Sequence, residues 1–380
     1  MLVVLNKMPT PYRTAFFDLL HEESSRMGIS LHVLYCAQTE PDRHWPYEPE
    51  KMRHPHTVMP GFHPSIAGLH AHMNPSILSQ LNKLKPDTLI VAGAWNTPTM
   101  LLAALDPFSS SERKIFWSEG HAGAVLNKGG AIAWIRRAVY RLYDGFAVPN
   151  QQSAEWALTQ AGSMRRCFDL PNSIDAGFYT RPNEQTRSES RLKWGIKGGA
   201  RVLVQVSALT RRKGAEDLAS AFLGLSPAER QGAQLLFVGT GDRECEVKSI
   251  ASRSGGAIRV LGQLAPEQVR EVLWAADGFV LNTRLDPNPL AVIEAAAAGL
   301  PIILSGFAGN VREVVMDPGA GFVIRDPSNP TDAIRAILAA SDLELALMGR
   351  RAAEVAHNQF DARAVARSLL RQLYGPQVHA

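Results

Sequence analysis

Between Arg284 and Pro301 the chain reads Arg-Leu-Asp-Pro-Asn-Pro-Leu-Ala-Val-Ile-Glu-Ala-Ala-Ala-Ala-Gly-Leu-Pro. Asn288 is a favoured helix N-cap and Pro289 suits a first helical position. The amides of Leu290 and Ala291 are therefore expected to point forward from a helix N-terminus, where free N–H groups and the positive end of the dipole attract phosphate. Glu294 falls about one turn further in, placed to accept two hydrogen bonds from sugar hydroxyls. The plain alternative is a capped helix packed on a sheet through Ala295–Ala298, but an acid amid alanines is unusual there. A second segment, Ser207-Ala-Leu-Thr-Arg-Arg-Lys-Gly214, puts Arg211, Arg212 and Lys213 at a predicted helix start. Cations are disfavoured at that end unless an anion joins them.

Both segments must be held by something regular. Short β-branched runs at Leu2–Leu5, Leu31–Tyr35, Thr88–Ala92, Lys114–Trp117 and Gly145–Val148 read as buried strands. Helix-period stretches at Tyr12–Met27, Pro75–Leu84 and Ala131–Leu142 separate several of them. Pro171–Ser190 has the composition of a linker. The alternation then restarts, with strands at Val202–Val206, Leu235–Val238, Ile258–Leu261, Gly278–Leu281, Pro301–Leu304 and Gly321–Ile324. Helices are expected near Gly214–Phe222, Asp242–Ser254, Pro266–Ala275, Pro289–Ala298 and Asp332–Ala340. This is the pattern of βαβ units and parallel sheets, in two doubly wound domains. Ligands of such sheets sit beyond the carboxyl ends of the strands, so the loops after strands are where chemistry belongs.

The length of 380 residues fits two domains. A hydrophobic share of 46% supports packed cores, and no apolar run is long enough for a membrane span. The opening Met-Leu-Val-Val-Leu-Asn-Lys lacks a signal-peptide pattern and reads as a first strand. Cys36, Cys167 and Cys245 form no zinc spacing, so a reduced, cytoplasmic protein is expected. A net charge of +4 permits attraction to phosphates, but no dense basic stripe with aromatics argues for nucleic acid. Pro41–Pro75 holds His44, His54, His56, His63, His70 and His72 in no zinc pattern. A long surface loop is expected there rather than a metal site.

The segment around Glu294 resembles the Glu-x7-Glu signature of retaining, nucleotide-sugar-dependent glycosyltransferases of family four. Asp286 stands at the first acidic position and Glu294 at the second, followed by an alanine-rich tail ending in Gly-x-Pro. The resemblance covers nearly the whole chain. Leu170-Pro-Asn-Ser-Ile-Asp175 with Phe178 resembles the inter-domain motif, and Phe237-Val-Gly-Thr-Gly241, with Gly239 and Gly241, the GxG turn. Gly309-Asn-Val-Arg-Glu313 resembles the glycine-to-glutamate loop, Gly321-Phe-Val-Ile the strand after it, and Asn358-Gln-Phe-Asp361 the start of the C-terminal tail. The implied fold is α/β of the GT-B architecture: two Rossmann-like doubly wound domains with an inter-domain cleft and a C-terminal crossover helix. The implied limits are 1–172 for the acceptor side, 173–360 for donor binding and 361–380 for the returning helix.

What the resemblance implies for the site follows residue by residue. Lys213 matches the phosphate-binding lysine of "GRLxxxKG". Ala208 stands where the family has arginine, leaving Arg211 or Arg212 to supply that charge. Asp286 is one methylene shorter than the usual glutamate, and Pro287 and Pro289 replace glycines. His121, in Trp117-Ser-Glu-Gly-His121, is the candidate for the histidine that touches the donor sugar, with Glu119 as the alternative. Lys7-Met-Pro-Thr-Pro-Tyr-Arg13 resembles a bacterial subgroup with a "PTPYR" loop, in which Arg13 faces the cleft.

The implied activity is retaining, metal-independent hexosyl transfer from a UDP- or GDP-sugar to a saccharide or lipid-linked acceptor, in bacterial surface polysaccharide or glycolipid assembly. No cofactor or metal is implied. Ala208 and Asp286 leave open a non-catalytic sugar-nucleotide-binding or partner-binding relative. A dinucleotide-dependent oxidoreductase lacks its glycine motif after strand one. A phosphorylase or nucleotide-sugar epimerase on the same architecture stays open. Ala131–Tyr143 carries Trp134, Arg136, Arg137 and Arg141, a face suited to peripheral contact with the inner face of the cytoplasmic membrane. The favoured reading is an ordinary helix with Ile132, Ile135, Val139 and Leu142 packed and the arginines solvated.

Overall fold

The computed structural model describes residues 1–40, 47–66, 69–108, 110–120, 129–196 and 198–375. Met1–Pro171 together with the helix Ala362–Tyr374 form one compact unit, and Asn172–Asp361 form the other. Each unit carries one extended, all-parallel sheet covered on both faces.

Unit one contains β1 (Leu2–Asn6), β2 (Leu31–Tyr35), β3 (His56–Val58), the short antiparallel pair β4 (Ser65–Ile66) and β5 (Leu69–His70), then β6 (Thr88–Ala92), β7 (Arg113–Trp117), β8 (Gly145–Val148) and β9 (Arg166–Asp169). The seven-stranded order is β3-β2-β1-β6-β7-β8-β9. Val4 of β1 lies between Val33 and Ile90, and every residue of β1 is buried. That is the continuous apolar run of a strand covered on both faces. The strand order reverses between β1 and β6, so the loops after them part and leave a crevice.

Unit two contains β10 (Val202–Val206), β11 (Gln234–Val238), β12 (Ile258–Val260), β13 (Gly278–Leu281), β14 (Ile302–Ser305) and β15 (Gly321–Ile324), in the order β12-β11-β10-β13-β14-β15. Here the reversal falls between β10 and β13. These are the strands whose following loops carry Lys213 and Asp286.

The C-terminal helix belongs to unit one by packing. Val365, Ala366, Leu369, Leu370 and Leu373 join Phe16, Phe17 and Leu20 over one face of the sheet. Each large apolar side chain buried this way contributes about 1.5–3 kcal/mol. At the rim, Arg363 pairs with Glu22 and Glu23 at 2.8 and 2.6 Å, and Arg367 with Glu23 at 2.8 Å.

Four local expectations need correction. Pro171–Ser190 is no loose linker: Asp175 caps a helix over Ala176–Tyr179, and Asn183 caps another over Glu184–Lys193. Its polar residues serve as caps and as an exposed helix face. The histidine-rich stretch is not a surface loop throughout. His54 and His72 are buried, the first against Asp18 and Tyr35, the second against Glu40; His44 lies outside the described residues.

The basic helix, Gly130–Tyr140, is turned relative to the expected stripe. Its buried face is Ala133, Arg136, Val139 and Tyr140, whereas Ile132, Trp134 and Ile135 are exposed. Arg136 tolerates burial because its Nε donates to Gln160 Oε1 at 2.9 Å and its guanidinium lies over Trp156. Finally, the helix at the Glu294 segment starts one residue late. It spans Leu290–Ala297 with Pro289, not Asn288, at the cap position.

Candidate functional site

In unit two, four loops at the carboxyl edge of the sheet are stitched together by backbone hydrogen bonds. The loop after β10 meets the loop after β11 through Leu209 N to Thr240 O at 2.8 Å and Arg243 N to Leu209 O at 2.9 Å. It meets the loop after β13 through Arg284 N to Arg212 O at 2.7 Å. That loop in turn meets the one after β14, where Gly309 N donates to Asp286 O at 2.8 Å. Gly239 and Gly241 explain how the first pair approach so closely. A Cβ at either position would lie 2.1 Å from Ser207 O or 2.4 Å from Leu209 O. Both glycines thus set the height of the Ser207–Lys213 loop.

This weaving brings Lys213 and Asp286 into contact. The Lys213 ammonium donates to Asp286 Oδ2, and both side chains are largely buried. Lys213 ends a single 3₁₀ turn, Arg211–Lys213, on which Arg211 and Arg212 are exposed. Arg212 reaches across to donate to Leu285 O at 2.8 Å, so its charge stands beside Asp286. Ala208 is exposed on the same loop and supplies no charge. Beyond Asp286 the helix Leu290–Ala297 opens with no side-chain cap. The amides of its first turn, those of Leu290 and Ala291 among them, have no partner within the helix.

Glu294 sits one turn in, flanked by fully buried Ile293 and Ala295 and retaining slight exposure. Burial pushes its carboxyl above the ordinary value, opposed by a hydrogen bond from the Tyr179 hydroxyl. Tyr179 is nine-tenths buried at the end of the Asp175-capped helix. Sequence reasoning stopped at the neighbouring Phe178 and missed it; the signal available was only an aromatic following that motif. Two further polar side chains were missed as ligand candidates here, Asn288 and Asn310, both buried.

Unit one holds a separate pocket of about 490 Å³ at its own switch point. It is built from residues at and just after the carboxyl ends of β1, β6 and β7, among them Lys7, Arg13, Trp95, Trp117 and Glu119. The two residues expected on the acceptor side meet here. Arg13 Nη2 donates to Glu119 Oε1 at 2.5 Å, and the guanidinium lies 3.6 Å from the Trp117 ring centre. A buried polar chain that sequence did not suggest backs the pocket. Lys7 Nζ contacts Glu40 Oε1 at 2.9 Å, and the same oxygen is 2.9 Å from His72 Nε2. Burial alone would raise the Glu40 carboxyl, but Lys7 and His72 together hold it below its ordinary value. Burial lowers His72 despite that carboxylate. His121 lies outside the described residues. Among the described residues no group of three or more His, Cys, Asp or Glu side chains is arranged to hold a metal ion.

Such an arrangement suits two tasks. Unit two offers a lysine, an arginine and free helix amides for a diphosphate, with carboxylates and amides around them for hydroxyls. Unit one offers aromatic faces with paired charges, the furniture of a saccharide site.

Residues 186–356 match the family described as "Glycosyl transferases group 1". The chain is 32% identical over 162 residues to the GDP-mannose-dependent monoacylated alpha-(1-6)-phosphatidylinositol monomannoside mannosyltransferase of Corynebacterium glutamicum, covering 41% of this chain and 42% of that one. It is 30% identical over 191 residues to D-inositol 3-phosphate glycosyltransferase of Geodermatophilus obscurus, covering 47% and 42%. The chain thus spans less than half the length of these curated relatives. Among solved structures, Anabaena Alr3699/HepE in complex with UDP aligns over 99% of this chain and 100% of its own, with a TM-score of 0.74 at 17% identity. WaaG, a glycosyltransferase involved in lipopolysaccharide biosynthesis, aligns over 99% and 100% with a TM-score of 0.66 at 16% identity. At these identities the structural likeness concerns the fold.

Proposed function

From a chain whose residues 186–356 belong to the glycosyl transferases group 1 family, within an α/β fold of the GT-B type, we propose a glycosyltransferase that moves a hexosyl group from a UDP- or GDP-sugar to a saccharide or lipid-linked acceptor. The observation that carries this reading is the convergence, within unit two, of Lys213, Asp286, Glu294 and an uncapped helix N-terminus.

In this reading the diphosphate lies against the amides of Leu290 and Ala291 and draws the Lys213 ammonium toward it. Arg212, or Arg211 from the same turn, adds the second cation in place of the arginine absent at Ala208. As the glycosidic bond breaks, negative charge grows on the leaving diphosphate, and these groups are already in place to stabilise it. Asp286, released from Lys213, then has oxygens to offer a sugar hydroxyl. Glu294 accepts hydroxyls of the nucleoside or sugar, oriented by Tyr179. Retention of configuration and independence of metal are part of the proposal, taken from the family resemblance.

Unit one is assigned to the acceptor, with Arg13 and Glu119 as its polar contacts and Trp117 as its stacking face. The relatives' names include a phosphatidylinositol mannoside mannosyltransferase and a lipopolysaccharide glycosyltransferase. A glycolipid or surface-polysaccharide acceptor is accordingly proposed here. The exposed Ile132, Trp134 and Ile135, with exposed Arg137 and Arg141 near them, support peripheral contact with an anionic membrane. Among the described residues no helix is long and apolar enough to cross one.

One observation favours a second reading. The resting Lys213 is already neutralised by Asp286, as suits a relative that binds partners or nucleotides without transfer. Incubation with UDP- and GDP-sugars and a lipid extract or oligosaccharide pool, followed by assay of released nucleoside diphosphate, separates the two. Acceptor-dependent release that disappears in Lys213→Ala supports transfer. Nucleotide binding without release under every acceptor supports the second reading.

A further inference from the structure

A second concavity of unit two lies at the amino ends of its central strands, at the sheet edge opposite the loops that carry Lys213 and Asp286. Arg201, Asp277 and Pro301 immediately precede β10, β13 and β14, and all three line a pocket of about 410 Å³. Arg181, Arg187 and Arg191 line it too, and its acidic residues are Asp277 and Asp342.

Four guanidiniums thus meet two carboxylates, and the pairing is uneven. Asp277 is engaged inside the chain. It accepts from Arg187 at 2.5 Å, from Arg191 at 3.2 Å and from the Val202 amide at 2.8 Å. Asp342 accepts from Arg201 at 2.9 Å, but its side chain is 99% exposed, so water screens that pair. Arg181 makes no hydrogen bond, and the exposed Glu184 stands 3.8 Å away. The Nη1 of Arg187 likewise has only Glu184, at 3.9 Å.

Backbone carbonyls fix two of the cations without neutralising them. Arg201 Nη1 donates to the oxygens of Ile337, Leu338 and Ala340, at the end of the helix Thr331–Ala339. Arg191 donates to Ala275 O at 2.8 Å and Ala200 O at 2.5 Å. The side chains of Arg187, Arg191 and Arg201 are mostly withdrawn from water, where like charges repel more strongly than in solvent. Among the described residues of this wall, Asp277 is the one withdrawn carboxylate that offsets them. A guanidinium carries five N–H donors in a rigid fork, and such forks grip phosphate oxygens. The pocket is larger than one phosphate, and Pro301, Leu345 and Ala346 on its wall suit a small organic body beside the anion.

We propose that this pocket binds a phosphate dianion, free or as the monoester of a small molecule, at a site separate from the donor loops. Arg181 and Arg187 hold the anion, which takes the place of the Asp342 carboxylate on Arg201.

The test is calorimetric titration with inorganic phosphate, glucose 6-phosphate and glucose in a phosphate-free buffer of about pH 7.5, where a phosphate is mostly doubly charged. The wild-type chain is expected to bind at least one of the two phosphates and to ignore glucose. Arg181→Gln should weaken that binding ~10-fold or more, the scale of a lost bond to a charged group, and leave the unfolding temperature without ligand unchanged. Asp342→Ala should tighten it about threefold, since an exposed ion pair no longer competes. Lys213→Ala should leave it unchanged, which separates this pocket from the donor loops. Tighter binding of the ester assigns the pocket to a phosphorylated small molecule, and equal binding assigns it to free phosphate; each supports the proposal. No binding of either phosphate, equal binding of glucose, affinity that survives Arg181→Gln, or affinity that falls in Lys213→Ala would each overturn it. Should Arg181→Gln unfold at a lower temperature, Asp342→Ala decides: tighter binding supports the site, and unchanged or weaker binding overturns it.

Discussion

Lys213 and Asp286, 73 residues apart in sequence, meet as an ion pair where the strand order of the second sheet reverses. Neither partner is fixed by its own loop alone. The contact exists because Arg284 N bonds Arg212 O and Gly309 N bonds Asp286 O, which pins three loops to one another. In the proposed reaction the pair would act as a latch on the cation that the diphosphate needs.

Opening that latch should separate binding from turnover. Asp286→Asn frees the ammonium, so affinity for a nucleoside diphosphate is expected to rise while sugar transfer falls. Lys213→Ala is expected to lose about 100-fold or more in turnover, the scale of one preorganised donor at a developing anion. Parallel titrations of UDP and GDP and initial-rate assays on both variants check this. Weaker diphosphate binding in Asp286→Asn would contradict the latch.

Glu294 should cost the fold some stability. Its carboxyl is raised by burial, so between the unfolded value of about 4.5 and the higher folded value the native state holds the proton more tightly. The associated stabilisation is present below that range and is lost as pH rises through it. Glu294→Gln, which carries no charge, is therefore expected to be more stable than wild type near pH 7.5, with the advantage vanishing near pH 4, and to transfer sugar poorly. Denaturant unfolding at the two pH values decides it. An equal difference at both would exclude a titrating cause.

Unit one carries the opposite dependence. His32, His54, His63 and His72 are all held below 6.5, chiefly by burial. The unfolded chain then takes up protons that the native chain refuses. Stability from these groups is complete above pH 6.5 and lost as pH falls below it. Glu40, held low by Lys7 and His72, adds a further loss below about 4.5. Amide exchange at pH 7.5 and 5.5 is expected to show strands of unit one opening more readily at the lower pH. Protection that stays constant there would refute the assignment.

The C-terminal helix should be indispensable to the first unit. Leu369 and Leu370 are at most 1% exposed, and truncating such a side chain to alanine costs about 2–5 kcal/mol. Leu369→Ala and Leu370→Ala are expected to lower the urea midpoint, and removal of 362–380 to leave unit one unable to fold. A truncated chain with native near-ultraviolet dichroism would be the contrary result.

Contact with a membrane is open to a direct assay. Vesicles containing phosphatidylglycerol are expected to float the wild-type chain at low salt and release it at high salt, and Trp134→Ser with Ile135→Ser to stay at the bottom. Binding that ignores both salt and these substitutions would assign the exposed face another role.

Much of this was legible along the chain because it is local. Strands Leu31–Tyr35, Thr88–Ala92, Gly145–Val148, Val202–Val206 and Gly278–Leu281 coincide with their apolar runs, since a strand covered on both faces is apolar almost throughout; the edge strand Gly321–Ile324 coincides as well, although it is only partly buried. Strands β3 and β9 were not legible. His56–Val58 and Arg166–Asp169 lie toward the sheet edges and carry polar residues that edges admit. The basic helix was misjudged for a related reason. Periodicity ranks faces by hydrophobicity, and Arg136 is buried by a hydrogen bond and a ring that come from another helix.

By itself, then, the order of residues determined the alternation of strands and helices, the loops that carry charge, and the likeness that names a family. These depend on neighbours a few residues away, where steric and solvation preferences act directly. Tertiary structure alone decided that Asp286 holds Lys213, that Tyr179 lies beside Glu294, that Arg13 lies between Trp117 and Glu119, and that Asn288 and Asn310 are buried unpaired. Those facts depend on which strands lie side by side and on where their loops cross, and pairing across tens of residues is set by the packing of the whole sheet rather than by any local preference.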